Sequence, residues 1–388
     1  MLLLFIFAPF LAFVRSVTRL NKSSARWVFV LFFALFGYCH TFTDIRADSY
    51  RKQLSFNAYT PESINKIAGK FSRGEQKDIY ESLLFSSVKQ LSNNPRVMMM
   101  MVGLVGGWLY MLVVRRFLED CARPLSTPIL ILIAMLVIES NIAVMGGIRN
   151  FTAFPLFLYS LIRLVIDKRW WWIIGLIITP LIHFGWVVAS IVAIIAWLVP
   201  LRKRVLHYVA IVVCAASLFL DTSSYGSALS IVTSRLDNES ITTRLESYSD
   251  EDVDQEFNRS LTTRLVRLNN KIGTCFVILL LVYLRSRRRR LISDSYVERI
   301  YRLLLWFTIL GYAFMAFSVV GQRYVYVAIA LIYILLANIW QRSRDRGIGR
   351  FIYALPLLFC IHILWTLYNC YCNTGWEIFA LPLPVIVQ

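Results

Sequence analysis

Long apolar runs, each broken by a short cluster of basic residues, repeat along almost the whole chain. A helix needs about 20 residues to cross a hydrocarbon layer ~30 Å thick, and somewhat fewer when its ends are snorkelled. Against that ruler the pattern predicts an all-α, polytopic membrane protein, a single integral domain over residues 1–388 with about twelve transmembrane helices. They fall near 1–14, 27–43, 97–114, 128–145, 150–166, 170–182, 184–199, 205–220, 271–284, 300–319, 323–340 and 351–372. The run WWWIIGLIITPLIHFGWVVASIVAIIAWLV is too long for one span and contains Pro180. Two short helices folded back at His183 account for both features. The first run lacks a basic start and a small-residue cleavage site, so it is expected to stay as a helix rather than leave as a signal peptide.

Charge tests this layout. Placing the clusters at 15–26, 115–123, 163–169, 202–204, 285–302 and 342–350 on one side gathers 24 of the 41 Lys and Arg but only six of the 23 acids. The other side then balances, and the entire excess of +18 lies on one face, as expected when basic loops are kept in the cytoplasm. Collapsing 170–199 into one span would spoil that balance. Two segments, 44–96 and 221–270, are left outside. INKIAGKF and DIYESLLFSSVKQL carry apolar residues at helical intervals and predict amphipathic helices along the outer interface or over a cavity.

Composition agrees: 58% of residues are apolar, 14% aromatic and 16% charged, against roughly a quarter charged in soluble domains. The basic residues sit between apolar runs, so no nucleic-acid partner is expected. The run RSRRRR in the basic loop 285–299 suits anionic lipid of the inner leaflet. Seven cysteines without CxxC spacing indicate neither a zinc site nor a disulfide framework.

The layout brings several polar residues to the outer side: Asp44 and Asp48 after the second span, Glu139, Arg149 opening the fifth, His183 at the hairpin tip and Arg323 opening the eleventh. Ionisable groups bordering a bilayer are costly and face a partner or a wet cavity. Two arginines at helix beginnings, with Gly146 and Gly147 beside one of them, suit a phosphate-bearing ligand, because helix N-termini present free N–H groups and glycines let it come close. Each residue also has a duller reading: a buried pair with Glu139 for Arg149, a helix anchor for Arg323, a bend-closing side chain for His183 and a helix cap for Asp48.

In chain order the sequence shows D-S-Y-R (Asp48 to Arg51), then ESLLFSSVKQLSNNPR leading into a span, GGIRNFTAF, PLIHFGW and QRYVYV. This order resembles the EpsG-type family of polysaccharide polymerases, related in role to the Wzy polymerases of O-antigen, capsule and exopolysaccharide. The resemblance implies an inverting glycosyltransferase in the bacterial cytoplasmic membrane, working at its outer face. It would move a glycan from one undecaprenyl-diphosphate carrier onto a repeat unit held by another. Carried over, the family's positions fall on Asp48, Arg149 and His183, with Arg51 and Arg323 as additions and Asp44 as the alternative to Asp48. The chemistry asks for an acceptor base (Asp48 or Asp44), cations at the leaving diphosphate (Arg149, Arg323) and a hydrogen-bond or proton donor (His183). No carboxylate motif calls for a metal, and no cofactor is expected. Lipid-linked glycans, membrane lipids and a chain-length regulator or flippase are the expected partners. A flippase for the same lipid-linked glycan and another transferase, such as a ligase, remain alternatives.

Overall fold

The computed structural model describes residues 1–43, 47–139, 142–199, 203–219, 261–315 and 318–387. Every regular element among them is helical. Four helices are long and apolar enough to cross a membrane: Pro95–Glu119, Ile148–Ile166, Arg267–Ser286 and Val320–Ser343. Arg346–Leu358 with Cys360–Thr374 makes a fifth if that bent pair is one span. Each apolar run read from the sequence falls on helix over most of its described part, yet several helices are short. Thr127–Ile138 has 12 residues, a rise of about 18 Å at ~1.5 Å per residue. The all-helical class is therefore matched, and of the expected crossings four to five are shown by length and composition among the described residues. Of the two external segments, 44–96 is described apart from 44–46; 220–260 lies outside the described residues, and 261–270 begins a helix that runs on to Ser286.

The chain divides into two compact units, Met1–Trp197 with Ile363–Gln388, and Leu198–His362. In the first, α1 (Leu2–Phe7) and α2 (Pro9–Val17) lie on α3 (Ser23–Tyr38), where Phe13 stacks on Phe32 at 4.4 Å between ring centres. Glycines let α3 and α7 (Pro95–Glu119) touch backbone to backbone. A methyl on Gly37 would enter the Met99 carbonyl, and one on Gly103 would enter that of Phe33. Without a hydrophobic drive between helices in lipid, such close approach supplies much of the attraction. Between α3 and α7 lie α4 (Asp48–Ala58), α5 (Ile64–Ser72) and α6 (Tyr80–Lys89). The last two coincide with the amphipathic stretches expected from the sequence. Phe56 and Tyr59 meet Phe85 edge-on, and Glu62 pairs with Lys70 and Lys66, so these helices form a folded layer.

After α8 (Thr127–Ile138), α9 (Ile148–Leu161) is the central helix of this unit, with almost all residues from Phe151 to Leu161 buried. A π-helical turn, Ile162–Ile166, continues it. Arg149 marks its head and Asp167 follows its foot, and the 19 residues of Ile148–Ile166 rise about 28 Å, close to the hydrocarbon thickness. At the foot, Arg116 grips Asp167 with two hydrogen bonds of 2.9 and 2.6 Å and reaches Asp120 at 2.7 Å, while Arg163 adds a bond of 2.8 Å to Asp167. Burial raises the Asp167 carboxyl, but these guanidiniums more than offset it and hold it below the ordinary carboxylate range. The clusters at 115–123 and 163–169, assigned to one side by charge alone, thus meet.

The fold-back at His183 is present. α10 (Ile173–Ile182) stops at His183, whose backbone is extended (φ −151°, ψ 110°), and a 3-10 turn leads into α11 (Val187–Leu198). Ser190 Oγ donates to the Leu176 carbonyl at 2.9 Å. These residues lie seven positions either side of His183 and would stand about 21 Å apart in a continuous helix, so the chain turns back on itself at His183. Gly175 packs on Ser160 of α9. Ile174, Ile177, Ile191 and Ile195 point outward, a liability in water but suited to lipid tails. The C-terminal part of the unit comprises most of α18 (Cys360–Thr374), α19 (Glu377–Ala380) and α20 (Leu383–Ile386).

The second unit holds α12 (Lys203–Ser217), α13 (Leu261–Ser286), α14 (Arg288–Leu291), α15 (Ser295–Ala313), α16 (Ser318–Ser343) and α17 (Arg346–Leu358). α15 and α16 form its core, where Gly311 sits against the Val325 backbone and Tyr301, Phe307 and Tyr333 are buried. Asp345 caps α17 through the Gly347 and Ile348 amides and accepts the Tyr283 hydroxyl at 2.6 Å.

Candidate functional site

The site grows from the loop that opens α9. Gly146 is buried, and a Cβ there would stand 2.8 Å from the Ser49 nitrogen. The close approach that this glycine permits is that of the first turn of α4. Gly147, the residue before α9, is half-buried. The D-S-Y-R element and the G-G-I-R element, nearly a hundred residues apart, meet here.

One step into α9, Arg149 Nη1 donates to Asp78 Oδ2 at 2.8 Å, and its Nε lies 3.4 Å from Glu81. Glu81 also takes both of its oxygens to Lys52 Nζ at 2.7 Å. The Arg149 side chain is 37% exposed, while that of Asp78 is 6% exposed. Burial pushes the Asp78 carboxyl above its ordinary range, against the pull of Arg149 and with a further push from Glu81. Two cations and two carboxylates make the cluster neutral. The partners of Arg149 are therefore Asp78 and Glu81, not the Glu139 expected for a structural pair; Glu139 is buried at the end of α8. Beside them Thr152 Oγ1 donates to the Tyr80 hydroxyl at 3.0 Å, pinning α6 to α9 a second time.

The hairpin tip reaches the same place. The Ile79 amide donates to the Leu181 carbonyl at 2.9 Å, and buried Trp186 donates from Nε1 to Asn150 Oδ1 at 3.1 Å. Ile79 and Asn150 are the chain neighbours of Asp78 and Arg149. Half-buried His183 lies between the two hairpin residues so engaged. A third tether comes from α18. Asn373 Nδ2 donates to the Ala143 carbonyl at 2.6 Å, and the Asn373 carbonyl accepts the Thr41 amide at 2.7 Å.

The structure brings the surroundings of Asp48, Arg149 and His183 into one neighbourhood of the first unit. Asp48 and Arg51 are both exposed on α4. Asp44 lies outside the described residues. Arg323 is half-buried in α16, within the second unit. Sequence reasoning missed Asp78, Glu81, Lys52, Asn150 and Asn373. A signal existed for the first three: D-I-Y-E puts two acids one helical turn apart, and Lys52 extends D-S-Y-R. Among the described residues, no group of three or more His, Cys, Asp or Glu side chains could hold a metal ion.

Long apolar helices, lipid-facing isoleucines and charged clusters at both ends of a buried span define a helical membrane protein with its polar chemistry at the head of α9. The chain belongs to the EpsG family, a polysaccharide polymerase-type family whose model matches residues 25–376. No curated protein and no solved structure matches it.

Proposed function

We propose that this protein polymerises lipid-linked oligosaccharide repeat units at the outer face of the bacterial cytoplasmic membrane. It would do so by inverting glycosyl transfer from an undecaprenyl-diphosphate-linked glycan to a repeat unit on a second carrier. The observation that supports this reading most is the assembly of D-S-Y-R, G-G-I-R and the His183 hairpin around one half-exposed guanidinium, within a chain of the EpsG family.

Transfer from a diphosphate builds negative charge on the leaving group, and a preorganised guanidinium stabilises it more in the transition state than in the ground state. Asp78 and Glu81 engage Nη1 and Nε of Arg149 and leave Nη2 for that contact. In the same reading Asp48, or Asp44, takes the proton from the acceptor hydroxyl. His183 donates to the departing diphosphate, and Arg51 and Arg323 add positive charge. The shorter apolar helices join the long ones in about twelve passes, with the basic loops inside.

Complementation of a polymerase-deficient strain tests this reading. The wild-type gene should restore long glycan, whereas Arg149→Ala should leave single capped repeats. Lipid-linked units retained on the inner leaflet would instead mark a flippase and refute polymerisation.

A further inference from the structure

The second unit carries a concavity with no role in the reaction above. Its volume is about 720 Å³, and it is walled by Arg204 of α12, Arg285 and Ser286 at the end of α13, and Arg287 to Arg290 with Ile292 around α14. That size lies within the ordinary range of ligand sites, roughly 300 to 1,000 Å³. Six guanidiniums share the rim, and among the described residues two of them find carboxylates. Arg288 is 3.4 Å from Glu298, and Arg290 is 3.7 Å from Asp345. Asp345 is already committed to the Tyr283 hydroxyl and two backbone amides. Among the described residues Arg204, Arg285, Arg287 and Arg289 have no carboxylate partner.

Orienting a membrane segment asks for positive charge in a loop, not for its convergence on one hollow. Convergence is costly, because like charges at short range repel unless an anion lies between them. A more specific sign comes from Arg285. Its guanidinium lies over the Tyr208 ring, 5.8 Å from the centroid, while its Nε is buried and has no acceptor among the described residues. The carbonyls at the end of α13 would repel an anion, so any anion held here depends on the guanidiniums.

We propose that this hollow binds a ligand carrying two or more adjacent phosphate groups, chelated between Arg285, Arg287, Arg289 and Arg204. Forked guanidiniums pair with phosphate oxygens two at a time, so several around one hollow select linked phosphates over a single one. A lipid headgroup and a soluble phosphorylated metabolite present the same chemistry, and the experiment separates them.

Purified full-length protein in neutral detergent would be titrated with inorganic diphosphate, phosphate and sulfate at matched ionic strength, reading heat of binding and thermal stability. Diphosphate should bind saturably, and Arg285→Gln combined with Arg287→Gln and Arg289→Gln should weaken it about tenfold or more. Arg287→Gln alone, on an exposed side chain, covers the case in which the triple variant fails to fold and should weaken binding by a smaller factor. Arg149→Ala removes any diphosphate taken at the head of α9, and a saturable event should remain that is lost only with the α13–α14 substitutions. Loss with Arg149→Ala and none with the α13–α14 variants would overturn the proposal, as would equal response to all three anions. In nanodiscs, suppression of diphosphate binding by cardiolipin, whose headgroup carries two phosphates, but not by phosphatidylglycerol at matched charge or by phosphatidylcholine identifies a lipid headgroup; undiminished binding in all three identifies a soluble ligand.

Discussion

Arg149 and Asp78, 71 positions apart in the chain, are joined by a hydrogen bond of 2.8 Å that fastens the head of the central helix to the α4–α6 layer. The acid is nearly sealed from solvent and the base is not, so the pair is asymmetric: one member depends on the other for its charge, while the other keeps an exposed edge.

Removing the cation should therefore cost stability as well as activity. Arg149→Ala leaves the buried Asp78 without its closest counter-charge and should destabilise by about 1–3 kcal/mol, less than a fully buried pair because Arg149 is part-exposed. Adding Asp78→Asn should recover most of that loss without recovering long glycan. Thermal unfolding in detergent, run beside glycan gels, separates the two effects.

The two ends of α9 should respond to pH with opposite sign. Asp78 titrates above its ordinary 3.8, so its favourable contribution is complete below that value and is lost as pH rises through the higher one. Asp167 titrates below 3.8, so its contribution is complete above that value and is lost as pH falls through the lower one. Wild type should thus lose stability relative to Asp78→Asn as pH rises above about 4, and Asp167→Asn should draw level with wild type only in stronger acid. Melting curves across acidic pH check both.

Asp48 is exposed at the start of α4, so Asp48→Asn should change stability by no more than about 0.5 kcal/mol. If it is the acceptor base, long glycan should disappear while single repeats accumulate. Normal chains from this variant would pass the role to Asp44.

Gly103 has the Phe33 carbonyl where a side chain would begin. Gly103→Ala must push α3 from α7 and should cost about 1–3 kcal/mol, seen as a lower melting temperature. Gly74, whose added Cβ would meet nothing, lies at φ 75°. Gly74→Ala there should cost only backbone strain, about 1–2 kcal/mol.

Much of this arrangement is legible in the sequence because it is written in local patterns. The hairpin follows from an over-long apolar run, a proline and the charge balance, and the 2.9 Å bond between Ser190 and Leu176 is its direct counterpart. The helices α5 and α6 follow from apolar spacing, and the meeting of D-S-Y-R with G-G-I-R from their assignment to one side. The partners of Arg149 were hidden because acids on an amphipathic helix read as its wet face, and nothing local reveals that Asp78 turns inward. Glu139 was the plausible partner only by nearness in sequence. The number of crossings was hidden because apolar character fixes where a helix lies, not how far it extends before His183 or another break ends it.

Asn373→Ala removes the donor that holds the Ala143 carbonyl, worth about 1 kcal/mol, and should lower polymer yield more than it lowers the melting temperature. Pulse-labelled glycan and unfolding curves on the same variant would show the difference.

That tether also fixes an order of events during synthesis. Thr41 and Ala143, the two loop ends that Asn373 clasps, leave the ribosome more than two hundred residues ahead of it. Until α18 arrives, both loops must wait without their final anchor, so nascent protein released before that helix should be inert even where every presumed reacting side chain has already been made.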